Sequence, residues 1–229
     1  SRRTYHPGRW RKWKDFGCGR LGDMGCHILN TPLRTLDMAA PIQIQTQVEP
    51  EWIKDATRYR EQFPRWEIIK YTFPGNKRTA GKTVALTWSD GGQFPLHKLK
   101  PLVGNQPLPI EGMLAVGTKG VLLLPHVGIA PQLFPKKKIA HVIFPHTDHH
   151  HQYIDAILKN NPAMPISRFR IATPLSEAVL LGVIAARFPG KKLLWDTKAM
   201  KFTNLPAANA FLRTTYRKGW EEKGLSENA

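Results

Sequence analysis

The sequence predicts an α+β fold, with one open, largely antiparallel sheet carrying helices on one face. Several segments alternate apolar and polar residues like half-buried strands, and they follow one another through turns rather than crossover helices. Helical periodicity is confined to the start of the chain and its later part. With 41% hydrophobic and 10% aromatic residues among 229, the chain can bury a proper core.

Residues 1–20 read as an irregular aromatic and basic approach segment. A helical pattern starts at Gly22, with Met24, Ile28, Leu33 and Leu36 at helix-like spacing, and Pro32 should kink it or restart it as a second helix. The stretch PIQIQTQVEP places Ile42, Ile44 and Val48 on alternate positions, as a strand does. KDATRYREQFP reads as loop or short helix. WEIIKYTF (66–73) and KTVALTWS (82–89) read as strands joined by the turn PGNKRTAG. DGGQFPLHKLKPLVGNQPLP is a long Gly- and Pro-rich loop, GMLAVGTKGVLLLP a hairpin turning near Gly117–Gly120, and AHVIFP (140–145) a further strand. HHHQYIDAILKNN opens a helix with Tyr153, Ile154, Ile157 and Leu158 on one side. PLSEAVLLGVIAARF is a largely buried helix capped by Thr173 or Ser176. KLLW is a short strand, and the tail from 196 carries one short helix. The second sheet face needs a cover, and the apolar content of 66–73 and 82–89 predicts homo-oligomer formation through it.

Lys and Arg outnumber Asp and Glu by 34 to 17, a net charge of +17 that raises the question of nucleic acid. The basic residues are scattered, with one short run at Lys136–Lys138 and no recognition motif, so no nucleic-acid partner is expected. No apolar run is long enough to span a bilayer, and no membrane partner is expected. The chain lacks an initiator Met and a signal-like start and reads as a segment of something longer. Cys18 and Cys26 give neither a disulfide framework nor zinc spacing, which leaves the compartment open.

Within DFGCGRLGDMGCHILN, Gly17, Gly19 and Gly22 have the G-x-G-x-x-G spacing of a dinucleotide loop. The preceding RWRKWKDF is too charged for the buried strand that such a loop must leave, and Asp37 follows a helical pattern rather than a second strand. The glycines therefore serve close approach of another backbone or a bound molecule. Asp23 and His27 stand four apart on one helix face, where a carboxylate can orient an imidazole that accepts a hydroxyl proton. The plainer alternative makes Asp23 a cap and His27 a core residue. Trp10 and Trp13 can stack on a sugar face or simply pack. Trp88 and Asp90, before Gly91-Gly92, can line a pocket, or Asp90 can serve the turn. His146, His149, His150 and His151 cluster in sequence, but consecutive positions at a helix start point different ways, so no metal site is expected there.

The stretch WRKWKDFGCGRLGDMGCHILN resembles the start of the C-terminal domain of the Gfo/Idh/MocA oxidoreductases, the glucose–fructose oxidoreductase and inositol dehydrogenase family. It is most similar to the branch abundant in planctomycetes, with its W-D-F-G-x-G-x-L-G-D-M-G-x-H pattern. The resemblance continues through LTWSDGG, MLAVGTKGVLLL, HHHQYIDAI, PLSEAVLLGVIAARF and KLLWDTKAMKFTNLPAAN, nearly the whole chain. It implies the substrate-binding and oligomerisation domain of an oxidoreductase acting on a hydroxyl of a sugar or polyol. NAD or NADP would be bound by a Rossmann domain that this sequence does not contain. His27 would accept the hydroxyl proton and Asp23 would hold the hydroxyl or the imidazole. Many relatives carry an acid where Asn30 stands here; Asn30 can hydrogen-bond a substrate but carries no charge. An H-H-x-x-W-I-D-A pattern suggests His149 or His150 as a substrate contact, and Arg11 and Lys14 could suit an acidic sugar. Two alternatives remain: a binding or scaffold protein without a cofactor domain, and a member that cleaves glycosides through transient oxidation by NAD.

Overall fold

A computed structural model describes residues 6–126, 130–136 and 148–220. The strand expected over 140–145, His146, and Lys137 and Lys138 lie outside them. A 3₁₀ turn, Pro7–Lys12, leads into helices α1 (Gly19–Ile28) and α2 (Asn30–Thr35), so the helical pattern does restart around Pro32, though it begins three residues before Gly22. Strand β1 (Gln43–Val48) is followed by short helices α3 (Pro50–Lys54) and α4 (Ala56–Glu61), then by β2 (Glu67–Pro74) and β3 (Thr83–Ser89). The long loop holds a single turn of helix, α5 (Leu96–Leu99), and the 3₁₀ turn Lys100–Val103. The hairpin β4 (Gly112–Gly117) and β5 (Gly120–Pro125) pairs onward with β6 (Gln132–Phe134). Then come α6 (His149–Leu158), α7 (Phe169–Ala185), β7 (Lys192–Asp196), β8 (Lys201–Phe202) and α8 (Pro206–Asn209).

The mixed α+β class holds. The strands, however, form two sheets rather than one: a five-stranded sheet ordered β3-β2-β1-β7-β8, all neighbours antiparallel, and a separate sheet β4-β5-β6. The hairpin buries Val121 and Leu123 against Val103 and Phe134, a small core of its own that removes any need to join the larger sheet. In the larger sheet strict alternation does the sorting. Ile44, Ile69, Tyr71, Phe73, Trp88, Leu193, Trp195 and Phe202 face Leu21, Leu33, Leu175 and Val179 from α1, α2 and α7. Thr46, buried on the same face, donates its hydroxyl to the Ala185 carbonyl at 2.8 Å and fastens the central strand to the end of α7.

The opposite face is mostly polar, carrying Gln43, Gln45, Gln47, Lys70, Thr72, Thr83 and Thr87, with Ile68, Ala85 and Leu194 among them. The expectation of a large uncovered apolar face is therefore corrected. Ile69, Tyr71, Phe73, Val84, Leu86 and Trp88 alternate inward, and one helical layer packs on them, while Ile68 and Ala85 stay on the outer face. Helix α7 starts at Phe169, not near Pro174, with Arg168 at the N-cap and no side-chain cap from Thr173 or Ser176. On α6 the apolar side is open: Tyr153, Ile154, Ile157 and Leu158 are all exposed. Among the described residues no helix is long and apolar enough to cross a membrane.

Candidate functional site

Helix α1 carries Asp23 and His27, and the glycines before and within it explain how it is seated. Gly19 has φ +71°, and a Cβ there would lie 2.9 Å from the Phe63 ring. A Cβ on Gly17 would come within 3.1 Å of the Arg11 backbone and the Trp10 ring. The spacing thus serves packing against the approach segment and Phe63, and a 3₁₀ turn precedes the loop where a nucleotide site would need a strand. The N-cap, Cys18, offers no side-chain bond. Glu67 on β2 supplies one instead, its carboxyl accepting the backbone N–H of Leu21 in the first turn of α1.

Asp23 is half-buried, and its carboxylate forms an ion pair with the Arg11 side chain. The i, i+4 spacing predicted an Asp23–imidazole contact; Arg11 takes that carboxylate. His27 is exposed, at the rim of a cleft of about 40 Å³ lined by His27, Ile28, Thr31, Met113, Leu124 and His126. The imidazole of His126, just beyond β5, lies 5.7 Å from that of His27, centroid to centroid, tilted by 56°. The cleft has room for about three waters. A pocket enclosing a sugar needs about 300 Å³ or more, so a substrate here would require a further wall.

The other predicted residues scatter. Trp10 is partly exposed beneath the Arg11 guanidinium, 4.9 Å from its ring centroid, and stays near the start of α1. Trp13 is buried and bridges to Gln62, with Lys12 4.6 Å above its ring, which makes it a packing residue rather than a sugar platform. Trp88 and Asp90 are likewise buried, Trp88 in phase with the inward side chains of β3 and donating to Asp90 Oδ2 at 3.1 Å. Neither lines the cleft beside His27. Asn30 is exposed at the start of α2. His149 and His150 are exposed at the start of α6, their rings 3.9 Å apart, with Asp148 capping the helix through the N–H groups of His150 and His151. They do not line the cleft. Among the described residues no three His, Cys, Asp or Glu side chains gather as a metal cluster.

Arg11 and Lys14 are also committed elsewhere than to an acidic sugar. Lys14 donates to the Tyr59 carbonyl and lies 5.1 Å from the Trp52 ring and 4.9 Å from that of Tyr59. Burial, and then the Arg187 charge, bring its pKa down to about 8. Sequence reasoning missed His126 and Glu67. His126 reaches His27 only through the docking of the second sheet on α1, which no local pattern encodes. Glu67 had a signal, since it shares the inward phase of Ile69 and Tyr71 and an acid on an apolar face needs a partner.

Glu67 and Asp90 make a buried carboxyl pair beneath α1. Asp90 Oδ1 accepts the Glu67 backbone N–H at 2.9 Å, and Glu67 Oε2 has no hydrogen-bond partner among the described residues. Burial first, and then the Asp90 charge, push Glu67 well above the usual carboxylate range, and burial pushes Asp90 up as well. The folded state therefore holds a proton that the unfolded chain releases above about pH 4.3. Because the folded value is raised, this contribution to stability is full at low pH and is lost as pH rises towards the folded value. Glu67→Gln cannot ionise. Its melting temperature should be close to wild type at pH 5 and increasingly above it towards pH 9, a window set by about 4.3 for the unfolded group. Parallel Tm curves for the two proteins would mean that the pair shares no proton.

Compared with known proteins, the chain matches no family model and no curated protein.

Proposed function

We propose that the chain is the substrate-binding and oligomerisation domain of an oxidoreductase that oxidises a hydroxyl of a sugar or polyol, with NAD or NADP held by a separate Rossmann domain. The observation that carries the reading is His27. It stands exposed on α1 at the rim of a cleft, its ring free of hydrogen bonds to the described residues, within a stretch that resembles the Gfo/Idh/MocA family. A neutral imidazole so placed can accept a hydroxyl proton as hydride leaves the same carbon for the nicotinamide. Asp23, anchored by Arg11, fixes the first turns of the helix against the approach segment and so sets where His27 stands. The shallow cleft supports the two-domain arrangement, because a cofactor domain closing over it would supply the missing wall.

Association through the open sheet face belongs to the same reading. It would be a mixed interface, built on Gln43, Gln45, Gln47, Lys70 and Thr72 with Ile68 and Leu194 among them.

The test joins the chain to a nucleotide-binding domain of this family and follows NAD(P)H absorbance over a panel of sugars and polyols. Substrate-dependent NAD(P)H formation is expected from the joined protein, and no NAD affinity from the 229-residue chain alone. Light scattering on the same preparations should show an oligomer. A joined protein that folds and binds NAD but oxidises nothing in the panel would favour the scaffold alternative. A monomer at high concentration would remove the interface.

A further inference from the structure

His27 ends α1 and His126 follows β5, so their imidazoles come from different sheets and helices and still face one cleft. Neither ring makes a hydrogen bond to the described residues, which leaves ring nitrogens on both sides of the cleft available. Elsewhere some polar side chains from different elements pair directly, Arg58 with Glu49 and Trp195 with Glu177. Two imidazoles facing one cleft can pair through a single N–H···N bond, or both can turn a bare nitrogen to a bound ion.

We propose that His27 and His126 together bind a borderline transition-metal ion such as Zn²⁺. The separation is close to what a shared ion needs. With metal–nitrogen bonds of about 2.0–2.1 Å and a ring centroid about 1.1 Å behind the ligating nitrogen, two imidazoles on one tetrahedral ion stand about 5 Å apart. The observed centroid distance is 5.7 Å, a gap that a small turn of the exposed His27 side chain closes. Thr31 and the apolar Ile28, Met113, Leu124 and Pro125 line the rest of the cleft, and its volume of about 40 Å³ accommodates an ion with bound waters. No third His, Cys, Asp or Glu among the described residues joins the two, so the remaining coordination positions belong to water or to an exogenous oxygen ligand. Imidazole suits Zn²⁺, Ni²⁺ and Cu²⁺, and hard oxygen-seeking ions such as Mg²⁺ are excluded by ligand type. The site needs neither substrate nor nucleotide and stands independently of the redox reading. An ion in it would occupy the imidazole that the redox reading uses for proton transfer, so Zn²⁺ would act there as an inhibitor.

The experiment titrates the EDTA-stripped 229-residue chain with ZnCl₂ by calorimetry, alongside His27→Ala, His126→Ala and a His149→Ala/His150→Ala control. Wild type should bind one ion per chain with micromolar affinity, unaffected by millimolar Mg²⁺. Loss of an outer-shell partner alone typically weakens metal binding by about 10–100-fold, so each single ligand variant should lose at least that much. The control should retain wild-type affinity. His27 is exposed, so His27→Ala should keep the wild-type circular dichroism, and any change in binding then reads the site. Unchanged affinity in both single variants, a loss confined to the His149/His150 control, or no binding below millimolar Zn²⁺ in wild type would each overturn the proposal.

Discussion

His27→Ala in the joined enzyme should lower kcat by about a hundred- to ten-thousandfold, the usual contribution of a positioned general base. The imidazole is exposed and packs little, so the variant should fold, and its KM and cofactor affinity should change far less than kcat. Asp23→Asn should cost less. Its carboxylate is occupied by Arg11, so removing the charge loosens the helix from the approach segment without deleting the proton acceptor. Steady-state kinetics on whichever sugar or polyol the joined enzyme oxidises decide the matter. Wild-type turnover in His27→Ala would make the residue structural and end the redox assignment of this helix.

Gly182→Ala should be strongly destabilising. A Cβ there would stand 1.9 Å from the Tyr71 hydroxyl and 2.6 Å from Leu21 Cδ2, with Tyr71 and Leu21 both buried in the main core. In a free helix the change would gain about 1 kcal/mol. Here the methyl must displace a ring already fixed beside Phe73, 5.8 Å away, and overpacking of this kind typically costs about 1–3 kcal/mol, occasionally more. A net loss of about 1–3 kcal/mol is expected in chemical denaturation. The Tyr71 hydroxyl itself has no hydrogen-bond partner among the described residues. Tyr71→Phe removes both the obstructing atom and the unsatisfied polar group, so it should rescue Gly182→Ala in a double-mutant cycle. Additive losses would place the strain elsewhere.

Local periodicity carried most of the architecture. The alternation of Ile42–Val48 and of 66–73, and the restart of a helix at Pro32, are properties of a few adjacent residues, and the structure has them where the pattern puts them. The partition into two sheets was not legible, because it depends on β6, three residues long, and on a small core assembled from Val103, Val121, Leu123 and Phe134. The burial of Trp88 was legible in the sequence. The residue is two residues from Leu86 and pairs with Ile69, so its phase points inward. Trp13 had no such signal, since a 3₁₀ approach segment has no period that separates inside from outside. His126 was invisible for a different reason: its partner is set by how one sheet docks on one helix.

The bond from Leu21 to Glu67 joins the opening turn of α1 to a strand far downstream. A helix capped by its own neighbours can fray and re-form alone. This one lacks a local cap, and its first turn is completed only when β2 is already in place. Order in the stretch bearing Asp23 and His27 is therefore a report on the assembled sheet: whatever loosens β2 loosens the residues assigned to chemistry, without touching either of them.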